Sequence, residues 1–304
     1  MIEFLSYFKW VVELLKMLIS FIKIIKKLFV PKGATTEPST VSSRFVDLFE
    51  NHGVHRNQIP RFFGNGLTLN EVETDEKLLP KLTPEILQAA TDLFAVRIEW
   101  LEGVDNKIYP VHDFYKHPEE YAEFLHQLNA GEERRVIAKL LWSTDPNHKQ
   151  DAVLVLEECV DYLGNESISR YHVCGGWVNK YWKSRADLTA CVAITLKQNV
   201  FIKGFQTSAR IDQFSEGKGF VSELYSLPHA VKRDWLFRKR FKRWDPESWT
   251  FDPAAFIERV DEGDFGKASA IERWLYYFDK GLMDTGYQNE NVRSEFVGLL
   301  AKYK

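Results

Sequence analysis

Residues 1–30, MIEFLSYFKWVVELLKMLISFIKIIKKLFV, constrain the chain more than any other stretch. Ser6, Lys9, Glu13, Lys16, Ser20, Lys23 and Lys27 follow one another in alternating steps of three and four, which is one face of a helix with a 3.5-residue repeat. Nearly every other position is Leu, Ile, Phe, Val, Trp or Met. The result is a single polar seam on an apolar body, the reverse of a surface helix, which carries an apolar stripe on a charged body. Such a helix needs an apolar medium around most of its circumference.

Three environments meet that need: the membrane interface, a bilayer-spanning oligomer whose seams face one another, and burial in a protein assembly. A lone span does not. The longest uncharged run, residues 17–22, falls far short of the roughly 18 residues that mark a single transmembrane helix. Glu13 and Lys16 would each cost about 2.5–3.5 kcal/mol at bilayer depth. Lys9, Glu13 and Lys16 also interrupt the run too early for a secretory signal peptide. Lys23, Lys26, Lys27 and Lys32 crowd its C-terminal end, which keeps an inserted chain's remainder cytoplasmic, peripheral to or anchored at the inner membrane. Lys9, Glu13, Lys16, Lys23 and Lys27 are thus the membrane or assembly seam, and the expected partners are a membrane surface or bilayer and further copies of the chain, a homo-oligomer.

The rest of the sequence is globular. A length of 304 residues allows about two domains with cores of their own. The net charge of -3 gives no global field toward nucleic acid, so any basic site must be local. Cys159, Cys174 and Cys191 are odd in number and lack metal-ligand spacing, which points to reduced, buried thiols. Residues 31–43, PKGATTEPSTVSS, read as a linker. Residues 44–104 read as a small all-α domain: Ser42 or Ser43 is placed to cap a helix carrying Phe45, Leu48 and Phe49, and Gly53 to end it. Thr68 and Glu71 have capping-box spacing, and Thr83-Pro84 opens a helix with Ile86, Leu87, Ala90, Leu93 and Phe94 on one face.

Over residues 45–103, and above all in LTPEILQAATDLFAVRIEWLEG, the chain resembles the C-terminal helices of the lambda-repressor-like (Xre-type) helix-turn-helix domain. The resemblance places GVHRNQIPRFFG at the turn and recognition helix, which implies that His55, Arg56, Asn57 and Gln58 face bases and that nucleic acid is a candidate partner.

Residues 105–133 read as a helical connector. His112, Asp113 and His117 are metal-ligand types, but two histidines five positions apart with Pro118 behind them fit no known zinc spacing, so they are taken as capping and loop residues. From residue 134 to 304 the pattern is α+β with an antiparallel sheet: RRVIAKLLW, then two strands meeting at Gly164-Asn165, a helix in WVNKYWKSRADLTACVAITLKQ, and NVFIKGFQTS returning as a strand. Glu157 and Glu158 are adjacent on a strand and must face opposite ways. Arg170, His172, Trp177, Tyr181, Trp182 and Arg185 concentrate polar and aromatic groups as a ligand pocket does. Lys232, Arg233, Arg238, Lys239, Arg240, Lys242 and Arg243, interleaved with aromatics, form a patch for an anionic partner or for the acidic run that follows. No catalytic order, phosphate loop, metal spacing or cofactor motif is present.

The fold class expected is therefore multidomain α+β: an amphipathic helix, a helix-turn-helix-like domain and an α+β domain that binds a ligand or protein partner. The function expected is a membrane-associated, non-enzymatic regulator or effector. Two alternatives stay open. In one, the N-terminal helices assemble through the Lys/Glu seam and perturb the membrane. In the other, a soluble DNA-binding regulator is oligomerised by that helix.

Overall fold

A computed structural model of the protein describes residues 40–130, 135–145, 150–208, 211–225, 241–286 and 290–304. The seam residues Lys9, Glu13, Lys16, Lys23 and Lys27 lie outside the described residues, as do Lys232, Arg233, Arg238, Lys239 and Arg240. Helix α1, Val41–Asn51, is capped by Thr40, whose Oγ1 accepts the Ser43 N–H at 3.1 Å. The cap thus precedes both serines expected for it, and Ser42 is buried within the helix. Phe45, Val46, Leu48 and Phe49 form the inward face, and Gly53, at φ +89°, makes the left-handed turn out of the helix. Single turns lead to α2, Pro84–Phe94, where Thr83 Oγ1 accepts the Ile86 N–H and Pro84 occupies the first turn.

The chain continues through β1 (Val111–His112), α3 (Pro118–Asn129), β2 (Val136–Ser143), β3 (Ala152–Leu163), β4 (Glu166–Trp177), α4 (Trp182–Lys197), β5 (Phe201–Thr207) and β6 (Phe241–Trp244). Helices α5 (Gly263–Asp279) and α6 (Val292–Leu300) complete it. The six strands form one sheet in the order β1-β4-β3-β2-β5-β6.

The sheet is mixed, where the sequence suggested an antiparallel one. Strands β2, β3 and β4 form an antiparallel meander, but β5 lies parallel to β2 and β1 parallel to β4. The cause is the connection: α4 carries the chain back across the sheet from the end of β4, so β5 enters beside β2 in the same direction. Strand β6 returns antiparallel to β5. The carboxyl ends of β1, β2, β4 and β5, and the start of α4, therefore share one end of the sheet.

Both faces of the sheet are covered. Ala138, Leu140, Leu154, Leu156 and Cys174 pack with α3, α4, α5 and α6, whereas Leu141, Val153, Val155 and Val173 pack with α1, α2 and the turns between them. This alternation is the period of two along each strand, and it explains why LLW and AVLVL read as nearly unbroken apolar runs. Residues 44–104, expected to be a domain of their own, are instead the cover of one sheet face, within the single compact unit Thr40–Lys304. The segment expected to be a connector takes the chain from that cover, through β1, to the opposite face. The three cysteines are free thiols. Among the described residues no helix is long and apolar enough to cross a membrane.

Close packing at the β1 edge gives a test. A Cβ on Gly175 would lie 2.3 Å from the Ser215 carbonyl oxygen, whereas one on Gly298 in α6 would meet nothing within 4 Å. Gly175→Ala should destabilise the chain by about 1–3 kcal/mol or more through overpacking. Gly298→Ala should leave stability unchanged or raise it by up to about 1 kcal/mol. Urea unfolding of the two variants measures the contrast.

Candidate functional site

Helix α4 carries two buried charges in its first turns. Arg185 and Asp187 are 1% and 0% exposed and, two residues apart on a helix, leave it on opposite sides. The Arg185 guanidinium donates to three carbonyl oxygens, those of Asn179 (3.0 Å), Phe256 (2.7 Å) and Glu258 (3.0 Å), and stands 4.2 Å from the centre of the Trp249 ring. Burial lowers its pKa to about 9, against the pull of Asp151 and Glu258. Asp187 accepts from Arg273 Nε at 2.5 Å, from the Tyr277 hydroxyl at 2.8 Å and from the Lys116 backbone N–H at 3.0 Å. Arg273 and Tyr277 are one turn apart on α5, and the guanidinium also donates to the Tyr277 hydroxyl at 2.9 Å.

Lys116 adopts a left-handed backbone conformation, φ +70°, which costs a residue with a Cβ about 1–3 kcal/mol unless its surroundings hold it there. The Asp187 carboxylate is what holds it. Beside this network, between α4, α5 and the loop bearing Lys116, lies an open cleft of about 370 Å³, within the range of small-ligand sites. Tyr277 and Arg273 form its floor, Trp182 and Tyr276 give it aromatic walls, and Lys116, Lys280, Glu119 and Glu272 surround its mouth. The ammonium groups of Lys116, Lys183 and Lys280 lie over the rings of Tyr115 (5.0 Å), Trp182 (4.9 Å) and Tyr276 (4.6 Å). Contacts of this kind at exposed positions are worth about 0.5–1 kcal/mol. Tyr115 is pushed up to about 12, by burial first and then by neighbouring Tyr181 and Asp187.

A second buried charge cluster sits on the sheet. Glu158 of β3, 1% exposed, receives Arg170 through Nε at 2.7 Å and a second guanidinium N–H at 2.8 Å, and His172 Nε2 at 2.8 Å. Glu157 points to the other face, where it pairs with Lys139, so the adjacent carboxylates diverge as strand geometry demands. His112 of β1 lies with its ring 6.2 Å from His172 and 4.4 Å from Phe124. Burial, then the charge of His172, lowers its pKa. Glu158 is saturated by its own partners, and this cluster pins β3 to β4.

The six residues grouped as a pocket from sequence thus occupy three places. Trp182 walls the cleft, and Tyr181 adjoins it as the N-cap of α4. Arg170 and His172 belong to the Glu158 cluster. Trp177 is core, its indole N–H donating to the Cys174 carbonyl at 3.0 Å, and Arg185 is sealed beneath Trp249. Asp187, Arg273, Tyr277 and Lys116 were not singled out by sequence. One signal was available: Asp187 is an acid beside the apolar positions of α4 that face inward.

Of the four residues assigned to base reading, His55, Arg56 and Gln58 bond within the chain through their side chains. His55 caps the turn Arg56–Gln58: its Nδ1 accepts the Asn57 N–H and its own N–H donates to Gln58 Oε1. Arg56 pairs with Asp75 and reaches the Val72 and Glu73 carbonyls, while Asn57 is exposed. Of the basic patch, Lys242 and Arg243 project from β6, whose Phe241 and Trp244 pack into the core. His117 stands 3.2 Å from Glu120 in the next turn of chain. Among the described residues no three His, Cys, Asp or Glu side chains gather as a metal site. No protein-family model, curated protein or solved structure matches the chain.

The Glu158 cluster has a pH signature. Burial raises its carboxyl, but hydrogen bonds from His172 and Arg170, with their charges, outweigh this and bring the pKa down from 4.5 to about 2. Because the folded value is depressed, the stability it contributes is full above pH 4.5 and is lost as pH falls toward 2. Glu158→Gln should flatten that part of the stability–pH curve and cost about 1–3 kcal/mol at neutral pH, since it leaves the half-buried Arg170 guanidinium without its anion. Urea midpoints measured against pH would show both effects.

Proposed function

We propose that this protein is a membrane-associated regulator or effector whose folded body binds a ligand and whose N-terminal helix brings that body to a membrane surface. The observation that carries the binding half is the cleft at the start of α4. Its floor is closed by the mutual bonds of Asp187, Arg273 and Tyr277, so these groups hold geometry and are not poised to transfer protons to a substrate. Its mouth is the opposite: Lys116 and Lys280 are set against aromatic rings by weak contacts that a ligand can replace. A rigid floor under an exchangeable rim suits binding rather than catalysis.

The membrane half rests on the sequence of residues 1–30. An apolar helix with one charged seam gains by burying its flanks at the headgroup–acyl boundary, and the lysines near its C-terminal end add attraction to anionic lipid. Assembly through the seam, Glu13 of one copy against lysines of another, is compatible with the same placement. Base recognition is not part of the proposal, because His55, Arg56 and Gln58 are engaged within the chain.

Flotation through a density gradient with liposomes containing phosphatidylserine provides the test. The full-length protein should float and a variant lacking residues 1–33 should remain at the bottom. Equal behaviour of the two would remove the membrane half of the proposal.

A further inference from the structure

The charge around the cleft does not cancel evenly. Arg273 is neutralised by Asp187, and Glu272 by Lys304 at 2.7 Å. Glu119 meets Lys280 at 3.8 Å, longer than a hydrogen bond. Lys116 has no carboxylate partner among the described residues and rests on the Tyr115 ring. The mouth therefore keeps Lys116 unmatched and Lys280 only loosely paired, with donors to spare.

Each of those ammonium groups covers, or adjoins, the face of an aromatic ring. Trp182 is half-buried and fixed at the first turn of α4, and Tyr276 is half-exposed on α5. A ligand that draws the lysines away uncovers flat surfaces suited to stacking. The ligand that meets both conditions has a compact multivalent anion and a planar ring. At about 370 Å³ the cleft is at the small end of ligand sites, which suits one ring system with one phosphate-bearing arm. The left-handed backbone at Lys116 adds direction: held by Asp187, it fixes where that lysine enters the rim.

We propose that the cleft binds a phosphorylated compound with a planar ring, of the mononucleotide class, its phosphate met by Lys116 and Lys280 and its ring stacked on Trp182 or Tyr276. This rests on the reading of the body as a binding unit and names the chemistry of its ligand.

The test is isothermal titration calorimetry on the full-length protein in a non-ionic detergent at low ionic strength, with adenosine monophosphate, adenosine and inorganic phosphate as separate titrants. The nucleotide should bind at least tenfold more tightly than either fragment and should weaken as salt is added. Lys116→Gly removes the ammonium while suiting the left-handed backbone, so it should fold as well as the parent and bind the nucleotide about tenfold more weakly. Trp182→Ala should weaken the nucleotide about tenfold and leave inorganic phosphate unchanged. Phosphate binding as tightly as the nucleotide would overturn the ring requirement. No measurable nucleotide binding, or binding indifferent to both substitutions, would overturn the site. Either result leaves flotation untouched, and a failure of flotation leaves the titration untouched, so the two proposals fall separately.

Discussion

A carboxylate with no exposed surface, Asp187, sets the terms for the middle of the molecule. An ion removed from water loses several kcal/mol of hydration, which only close partners restore. Its three donors come from two other segments, the loop at Lys116 and helix α5. Both segments are therefore located by one side chain on α4. Arg185, on the other side of the same turn, does the complementary task by drawing the carbonyls of Asn179, Phe256 and Glu258 onto a cation. Opposite charges facing opposite ways fix the start of α4 against its neighbours in a way that apolar packing, being non-directional, does not.

The cleft is a consequence of this fixation. Its wall at Trp182 belongs to the anchored turn of α4, and its wall at Tyr276 is neighbour to the Tyr277 that Asp187 holds. Ligand sites benefit from such support because little motion must be frozen on binding. The buried network and the exposed rim therefore do different work. The former spends its polar groups on one another, and the latter leaves its lysines on ring faces, where replacement costs little.

Much of the local structure was legible in the residues, because it depends on neighbours in sequence. The α2 cap at Thr83-Pro84, the bond from the Thr68 N–H back to the Glu71 carboxylate, the Gly164-Asn165 hairpin and the opposite facing of Glu157 and Glu158 all follow from short-range geometry. What was not legible depends on contacts far apart in the chain. The position of β5 beside β2 rather than β4 is decided by where α4 packs, and the helical segment at residues 44–104 reads as independent because its partner surface, Val153, Val155 and Val173, lies many residues on. The site was partly legible for the same reason. Trp182 stood out by composition, but its companions Lys116, Arg273 and Tyr277 come from segments that only the fold brings to it.

On the proposed reading, attachment and ligand binding belong to separate parts of the chain, so their relation must be argued and not assumed. A ligand shifts an equilibrium only by binding one state more tightly than another. A single amphipathic helix gives marginal, reversible attachment, and several copies joined through the seam attach as a group whose grip grows with their number. Assembly is thus the step at which a weak influence from the body becomes a large change at the membrane. A phosphate at the cleft mouth alters the body's surface charge locally, beside Lys116, and so changes how neighbouring bodies meet. The charged seam has a role on this account that a passive anchor would not require: it lets the number of neighbouring copies, and not the affinity of any one helix, decide how long the protein stays.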